Sequence, residues 1–245
     1  MDAPSPAKEE AQTRPWKLRR LLAWGVHLFT ATGAVWGLFA LFEIMQGDFG
    51  RATIFMLVAL GIDSLDGSLA RRVDVSEHAP GIDGRRMDDI VDYLNFVIVP
   101  CVFMAASGSL LSPAWAALPA LASAFGFSQN DAKTDDNFFL GWPSYWNVLA
   151  FYLWLLELSP MAGTLWVVGL SVAVFIPYKY IYPSQMQNRA LRYFLSYAGL
   201  VWAMAIGWAA LDLATATRYY VAEVSLLYPM LYMGLSFKLG GFHRR

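Results

Sequence analysis

Apolar residues run along this chain in long blocks rather than in alternation. The blocks lie at 21–42, 52–71, 88–107, 113–128, 144–158, 161–181, 192–212 and 219–237. A helix needs about 20 mostly apolar residues to cross the hydrocarbon of a bilayer, whereas a transmembrane strand needs only about 10, alternating in character. Unbroken blocks of this length predict an all-α fold: a polytopic membrane helix bundle of about eight transmembrane helices. The fourth and fifth blocks are shorter and interrupted. Residues 1–20 are polar, carry Pro4, Pro6 and Pro15, and end in Trp16-Lys17-Leu18-Arg19-Arg20. They predict an unordered start and a short basic interfacial segment, ahead of one transmembrane domain over 21–245. The first block is too long for a secretory signal and no small-residue cleavage site follows it, so it reads as a retained span.

Composition agrees. The chain is 57% hydrophobic and only 15% charged, against about 25% charged in a soluble domain. A net charge of −1 provides no basic field for nucleic acid. One cysteine, Cys101, and the scattered histidines His27, His78 and His243 exclude a disulfide framework and a Cys- or His-rich metal site. With the N-terminus inside, 16 of the 18 Lys and Arg fall on the cytoplasmic side, leaving Arg51 and Arg218 outside. That bias predicts an even number of spans and both termini in the cytoplasm.

Carboxylates at membrane depth are costly and mark function. Asp63, Asp66, Gly67, Ala70 and Arg71 follow the spacing i, i+3, i+4, i+7, i+8, one face of a helix. Gly84, Asp88 and Asp92 follow i, i+4, i+8, again one face. Both stripes lie at cytoplasmic helix ends joined by a short hairpin, so they can meet. Carboxylates gathered in one pocket repel one another, and hard divalent cations such as Mg²⁺ or Mn²⁺ relieve this. Two such ions can bridge a pyrophosphate. Gly67 and Ala70 leave room for a nucleotide, and Arg71 offers a forked donor to phosphate. The plainer alternative pairs these acids with Arg71, Arg72, Arg85 and Arg86 at the interface, but it does not account for two matching stripes threaded with glycine.

The constellation Asp63-x2-Asp66-Gly67-x2-Ala70-Arg71, then Gly84-x3-Asp88-x3-Asp92, resembles the motif of the CDP-alcohol phosphotransferase family. Those membrane enzymes join CDP-diacylglycerol, or another CDP-alcohol, to a second alcohol and release CMP. The spacer 72–83 is longer than in most members and resembles the branch that makes phosphatidylcholine from free choline. So do Val26-His27-Leu28-Phe29-Thr30-Ala31-Thr32-Gly33, the stretch from Phe125 to Thr134 and the stretch from Phe138 to Asn147. The resemblance implies Asp63, Asp66 and Asp88 as the main metal ligands, with Asp92 completing the site for a second divalent cation (Mn²⁺ or Mg²⁺) and serving as general base. Asp88 and Asp92 thus stand nearest the chemistry. It implies Gly67, Ala70, Arg71 and Gly84 as CDP-contacting positions. It further implies CDP-diacylglycerol, choline and CMP as ligands, membrane lipids as surroundings, a homodimer, and a bacterial inner membrane with the site at the cytoplasmic leaflet.

A quaternary ammonium has no N–H to donate and is held by aromatic faces. Trp142, Tyr145, Trp146 and Tyr152 form one aromatic group and Tyr178, Tyr180 and Tyr182 another. Either group also fits an interfacial aromatic belt. Tyr145, Trp146 and Asn147 are the first candidates for choline binding, beside a loop carrying Asp131, Asp135 and Asp136. Asp89 lies about 100° around the helix from Asp88 and is expected to face away. Gly33-x3-Gly37 suggests close helix packing. His27 either lines the pocket or packs, His78 is expected in a loop, Cys101 in the core and Glu157 at the outer boundary. Serine or glycerol 3-phosphate as acceptor is the nearest rival. A polyprenyl transferase would need a second acidic motif far along the chain, and a cation transporter would show repeats and midplane acids.

Overall fold

The computed structural model describes residues 6–129, 132–134 and 136–243, with side chains from Trp16 onward. Asp131 and Asp135, and the side chains of Lys8, Arg14, Arg244 and Arg245, lie outside the described residues. The chain forms α1 (Pro6–Met45), α2 (Phe49–Val73), α3 (Val75–His78) and α4 (Gly84–Tyr93), which continues through a π-helical turn at Leu94–Ile98 into α5 (Val99–Ala106). A 3-10 turn at Pro113–Ala116 leads into α6 (Ala117–Phe127). Then come β1 (Phe138–Leu140), α7 (Trp146–Leu155), α8 (Pro160–Val174), β2 (Lys179–Ile181) and α9 (Arg189–Leu211), followed by α10 (Leu213–Arg218), α11 (Val221–Ser225) and α12 (Leu227–Leu239).

The protein is a polytopic helical membrane protein. Four helices, Trp16–Met45, Phe49–Val73, Gly84–Ala106 and Arg189–Leu211, are long and apolar enough to cross a bilayer among the described residues. The apolar blocks at 113–128, 144–158 and 161–181 fold as shorter helices, and the last block is divided at Leu226. Apolar side chains face outward as well as inward. Leu200, Val201, Met204, Trp208 and Leu211 of α9 are exposed, while Leu195, Trp202 and Ile206 of the same helix are buried. The outward stripe suits a lipid neighbour.

Polar caps fix where helices begin. The Asp48 side chain accepts from the Arg51 N–H at the start of α2, Asp83 from Arg86 at α4, Ser159 from Ala162 at α8, and Asn188 from Leu191 at α9. Each satisfies a backbone donor that has no helical partner.

Three expectations are corrected. The block at 161–181 does not stay helical to its end: α8 stops at Val174, because Pro177 disfavours helix in the residue before it. Lys179–Ile181 instead pairs antiparallel with Phe138–Leu140, in the register Phe138↔Ile181, Phe139↔Tyr180 and Leu140↔Lys179. The stretch ahead of the first apolar block does not remain unordered: from Pro6 it is helical and runs unbroken through the basic residues 16–20 into that block as α1. The spacer 72–83 is not all loop, since α3 lies within it. Val75 and Ala79 pack with Ala23 and Val26 of α1, and His78 is 3% exposed with Nδ1 3.0 Å from the Asp74 carbonyl oxygen.

Helix α1 packs against both α2 and α4 and so sets their separation. The contact with α4 runs through Gly33 and Gly37. Asn95, in the π turn, donates from Nδ2 to the Gly33 carbonyl at 3.0 Å and to the Val91 carbonyl at 3.1 Å. A Cβ at Gly33 would sit 2.7 Å from Val91 Cγ1, and one at Gly37 would run into Asn95 Oδ1. The two glycines are therefore the seat on which α4 rests.

Candidate active site

Helix periodicity places Asp63 and Asp66 on one face near the C-terminal end of α2, and Asp88 and Asp92 on one face of α4, in its middle and at its end. The two faces meet. Asp63, Asp88 and Asp92 each present a carboxylate oxygen, and the three oxygens lie within 4.8 Å of one another. Asp66 stands outside this trio. It is buried against Thr30 of α1 and remains close enough to feel the charge of Asp63 and Asp88.

The alternative in which these acids pair with the neighbouring arginines does not describe the structure. Among the described residues, the ion pairs join Arg51 to Glu43 and Asp48, Arg86 to Asp83, and Lys179 to Asp136. None uses the four aspartates. Arg71 is exposed, donates from Nη2 to Ser68 Oγ at 3.2 Å, and lies over Gly67, where a Cβ would be 3.3 Å from Nη1. Gly84 faces the ring of His27, whose Cε1 lies 3.2 Å from where a Cβ would be; His27 Nε2 is buried without a partner. Ala70 lies half-buried on the same face as Gly67. Asp89 is not among the clustered acids.

Besides Arg71, which acts on Asp66, the cation that reaches all four aspartates is Lys133. It lies near enough to act electrostatically on Asp63, Asp66, Asp88 and Asp92. Its Nζ sits 5.7 Å from the centre of the Tyr182 ring. Sequence reasoning counted Lys133 only among the cytoplasmic charges. The available signal was its place in the polar stretch after α6, immediately before the paired strand.

The candidate choline residues separate. Trp146 is 0% exposed, donates from Nε1 to Ser123 Oγ at 2.7 Å, and stacks edge-on with Trp142 at 4.5 Å. It is a core pillar and leaves the set of available rings. Asn147 is 1% exposed, with Oδ1 buried and unpartnered. Tyr145 is placed differently. Its ring meets Tyr232 at 5.5 Å and Phe139 at 6.5 Å, and it feels the charge of Asp63. Asp136 accepts from Lys179 Nζ at 2.7 Å and from Thr134 Oγ1 at 2.6 Å, so it belongs to the strand pair and not to the pocket.

A cavity of about 500 Å³ lined by Ser109, Trp154, Glu157, Thr217 and Glu223 opens at the other end of the bundle and contains none of these groups. Chemically, the acidic end offers a compact all-oxygen donor set, which suits a hard divalent cation. Carboxylates this close repel unless a positive charge lies between them, so the residues present fit a metal site.

Comparison with known proteins agrees with this geometry. The model of the CDP-alcohol phosphatidyltransferase family matches residues 26–209, which include both acidic stripes and the α1 face against them. A phosphatidylcholine synthase of Legionella pneumophila is 38% identical over 224 residues, 88% of this chain and 87% of that protein. Phosphatidylcholine synthases of Bradyrhizobium diazoefficiens and Borreliella burgdorferi are 37% and 35% identical, over 71% and 69% of this chain and 67% and 73% of those proteins. The chain belongs to the CDP-alcohol phosphatidyltransferase family.

Proposed function

We propose that this protein transfers the phosphatidyl group of CDP-diacylglycerol to the hydroxyl of choline, giving phosphatidylcholine and CMP. The observation that carries the transfer chemistry is the meeting of Asp63, Asp88 and Asp92 within 4.8 Å at one end of the bundle. The names of the relatives support choline as acceptor.

Asp63, Asp66, Asp88 and Asp92 would hold two divalent cations, Mn²⁺ or Mg²⁺, whose chemistry is to neutralise the charge of a diphosphate. The protein's own groups do the rest. Asp92 takes the proton from the choline hydroxyl, because an alcohol is a poor nucleophile at neutral pH without a base. The freed oxygen attacks the phosphorus that bears diacylglycerol, and the bond to the CMP oxygen breaks. Arg71 donates to the phosphate oxygens as charge gathers on the leaving group. Gly67, Ala70 and Gly84 leave the helix backbones open to the nucleotide. The outward apolar stripes let the acyl chains of the substrate stay in lipid. The protein works as a homodimer in the bacterial inner membrane, with both termini in the cytoplasm and the site at the cytoplasmic leaflet.

A second reading has one observation in its favour. Lys133 stands beside the acids, where it would suit an acceptor that bears an anionic group, such as the carboxylate of serine or the phosphate of glycerol 3-phosphate. Purified protein with CDP-diacylglycerol, Mn²⁺ and labelled choline, serine or glycerol 3-phosphate, resolved by thin-layer chromatography, decides between them. Metal-dependent phosphatidylcholine is expected. Product from serine alone would keep the chemistry and overturn the acceptor.

A further inference from the structure

Beside the acidic trio, side chains from four separate segments form a ring cluster. Phe139 comes from β1, Tyr145 from the residue before α7, Tyr182 from just after β2, and Tyr232 from α12. Phe139 and Tyr182 lie 4.4 Å apart at 32° between planes. Tyr145 stands nearly perpendicular to Phe139, at 88°, and edge-on to Tyr232. Tyr232 is buried and donates from its hydroxyl to the Ile181 carbonyl at 3.1 Å, which fixes the back of the cluster. Phe139, Tyr145 and Tyr182 are only partly buried. Tyr145 and Tyr182 both feel the charge of Asp63, so the cluster adjoins the reacting end. One ring already carries a cation, since Lys133 Nζ lies over the Tyr182 face.

We infer that Phe139, Tyr145 and Tyr182 form a cage for a quaternary ammonium, which takes the place of the Lys133 ammonium on the Tyr182 face. The inference rests on the choline reading above and adds the location of the headgroup. Ring faces attract a cation that has no proton to donate, and the attraction grows when the site is shielded from water. The nearby carboxylates add a favourable field at the same spot. A cation held here is placed on the side of the acidic trio that Asp63 shares with Tyr145 and Tyr182, and Asp92 belongs to the same trio. Trp146, which the sequence suggests alongside Tyr145, is sealed in the core and cannot serve.

The test uses the purified full-length protein in mixed micelles. Initial rates are taken with choline and with 3,3-dimethylbutan-1-ol, which carries a neutral tert-butyl group of the same shape. The wild-type protein is expected to prefer choline by at least about tenfold in kcat/KM. Tyr182→Leu should raise the KM for choline about tenfold or more, leave the neutral alcohol nearly unchanged and leave the KM for CDP-diacylglycerol within about twofold. Tyr182→Phe should keep the preference. Equal losses with both alcohols, or none, overturn the cage. Phe139→Leu repeats the test should Tyr182→Leu fail to fold. Tetramethylammonium binding by calorimetry separates the two proposals. A wild-type protein that does not convert choline yet binds tetramethylammonium, with the binding lost in Tyr182→Leu, overturns the acceptor and keeps the cage. A wild-type protein that makes phosphatidylcholine with unchanged Tyr182→Leu kinetics keeps the acceptor and overturns the cage.

Discussion

The acidic face and the ring cluster adjoin one another but are built differently. The acids come from two helices, and their grouping follows from helical spacing plus one hairpin. The rings come from the residue before α7, the middle of β1, the residue after β2 and a distant helix, and the pairing of Phe138–Leu140 with Lys179–Ile181, with α12 packed on β2, brings them together. Helical periodicity is a local property, visible in any stretch of about ten residues. Strand pairing across some forty residues leaves no such trace, and a three-residue strand is too short to show alternation. Chemistry that can be spaced along a helix is legible in a sequence; a pocket closed by long-range pairing is not.

The largest effects should come from the acidic side. Asp92→Asn is expected to lower turnover by about 10² to 10⁴-fold while CDP-diacylglycerol binding is retained, checked by rates alongside lipid-substrate binding. Comparable rates would remove Asp92 from the role of base. Chelation should abolish turnover in the wild-type protein, and added Mn²⁺ or Mg²⁺ should restore it. Both treatments leave the ring faces in place, so tetramethylammonium binding should survive each of them, changed only as far as the field of the neighbouring carboxylates changes.

The next effect tests how the acidic face is held. Gly37→Ala would push a methyl group into Asn95 Oδ1, and overpacking of this kind costs about 1–3 kcal/mol. Because Asn95 lies one turn beyond Asp92, turnover should fall more than thermal stability alone accounts for. A melting curve and a rate measured on the same preparation check this. The pair Gly33 and Gly37 was legible as a packing motif. The π turn at Leu94–Ile98 that receives it was not, since a single-turn change of helix pitch carries no periodic signature of its own. The same limit applies to Lys133. Its charge was plain, but its position against four aspartates depends on where the chain after α6 turns back. The eight apolar blocks identified the helices, while composition could not tell that Pro177 ends α8 and turns its aromatic tail into a strand.

Trp146 sharpens the contrast between two neighbouring aromatics. Trp146→Phe removes the bond from Nε1 to Ser123 Oγ, a loss of about 1 kcal/mol. It should lower the melting temperature and leave the KM for choline unchanged, the opposite of Tyr182→Leu. A raised KM for choline in Trp146→Phe would return that ring to the pocket.

The smallest effect lies in the tie that holds the strand pair closed. Lys179, with help from Thr134, holds the Asp136 carboxyl below the usual carboxylate range. A folded-state value below the unfolded one stabilises the fold at pH above the ordinary value of about 4, and the increment fades as pH falls through the folded value. The pair is partly exposed, with side-chain exposures of 21% for Lys179 and 49% for Asp136, so its worth is at most about 0.5 kcal/mol. Asp136→Asn should therefore melt slightly below the wild-type protein at neutral pH, and the gap should close as acidification carries the pH below the ordinary carboxylate range. Because the tie sits on the strands that carry Phe139 and lead into Tyr182, the same variant should weaken choline binding modestly and leave Asp92-dependent chemistry intact. An equal fall in both would mean that the strand pair and the acidic helices move as one body, and that the division between the two regions lies in the sequence alone.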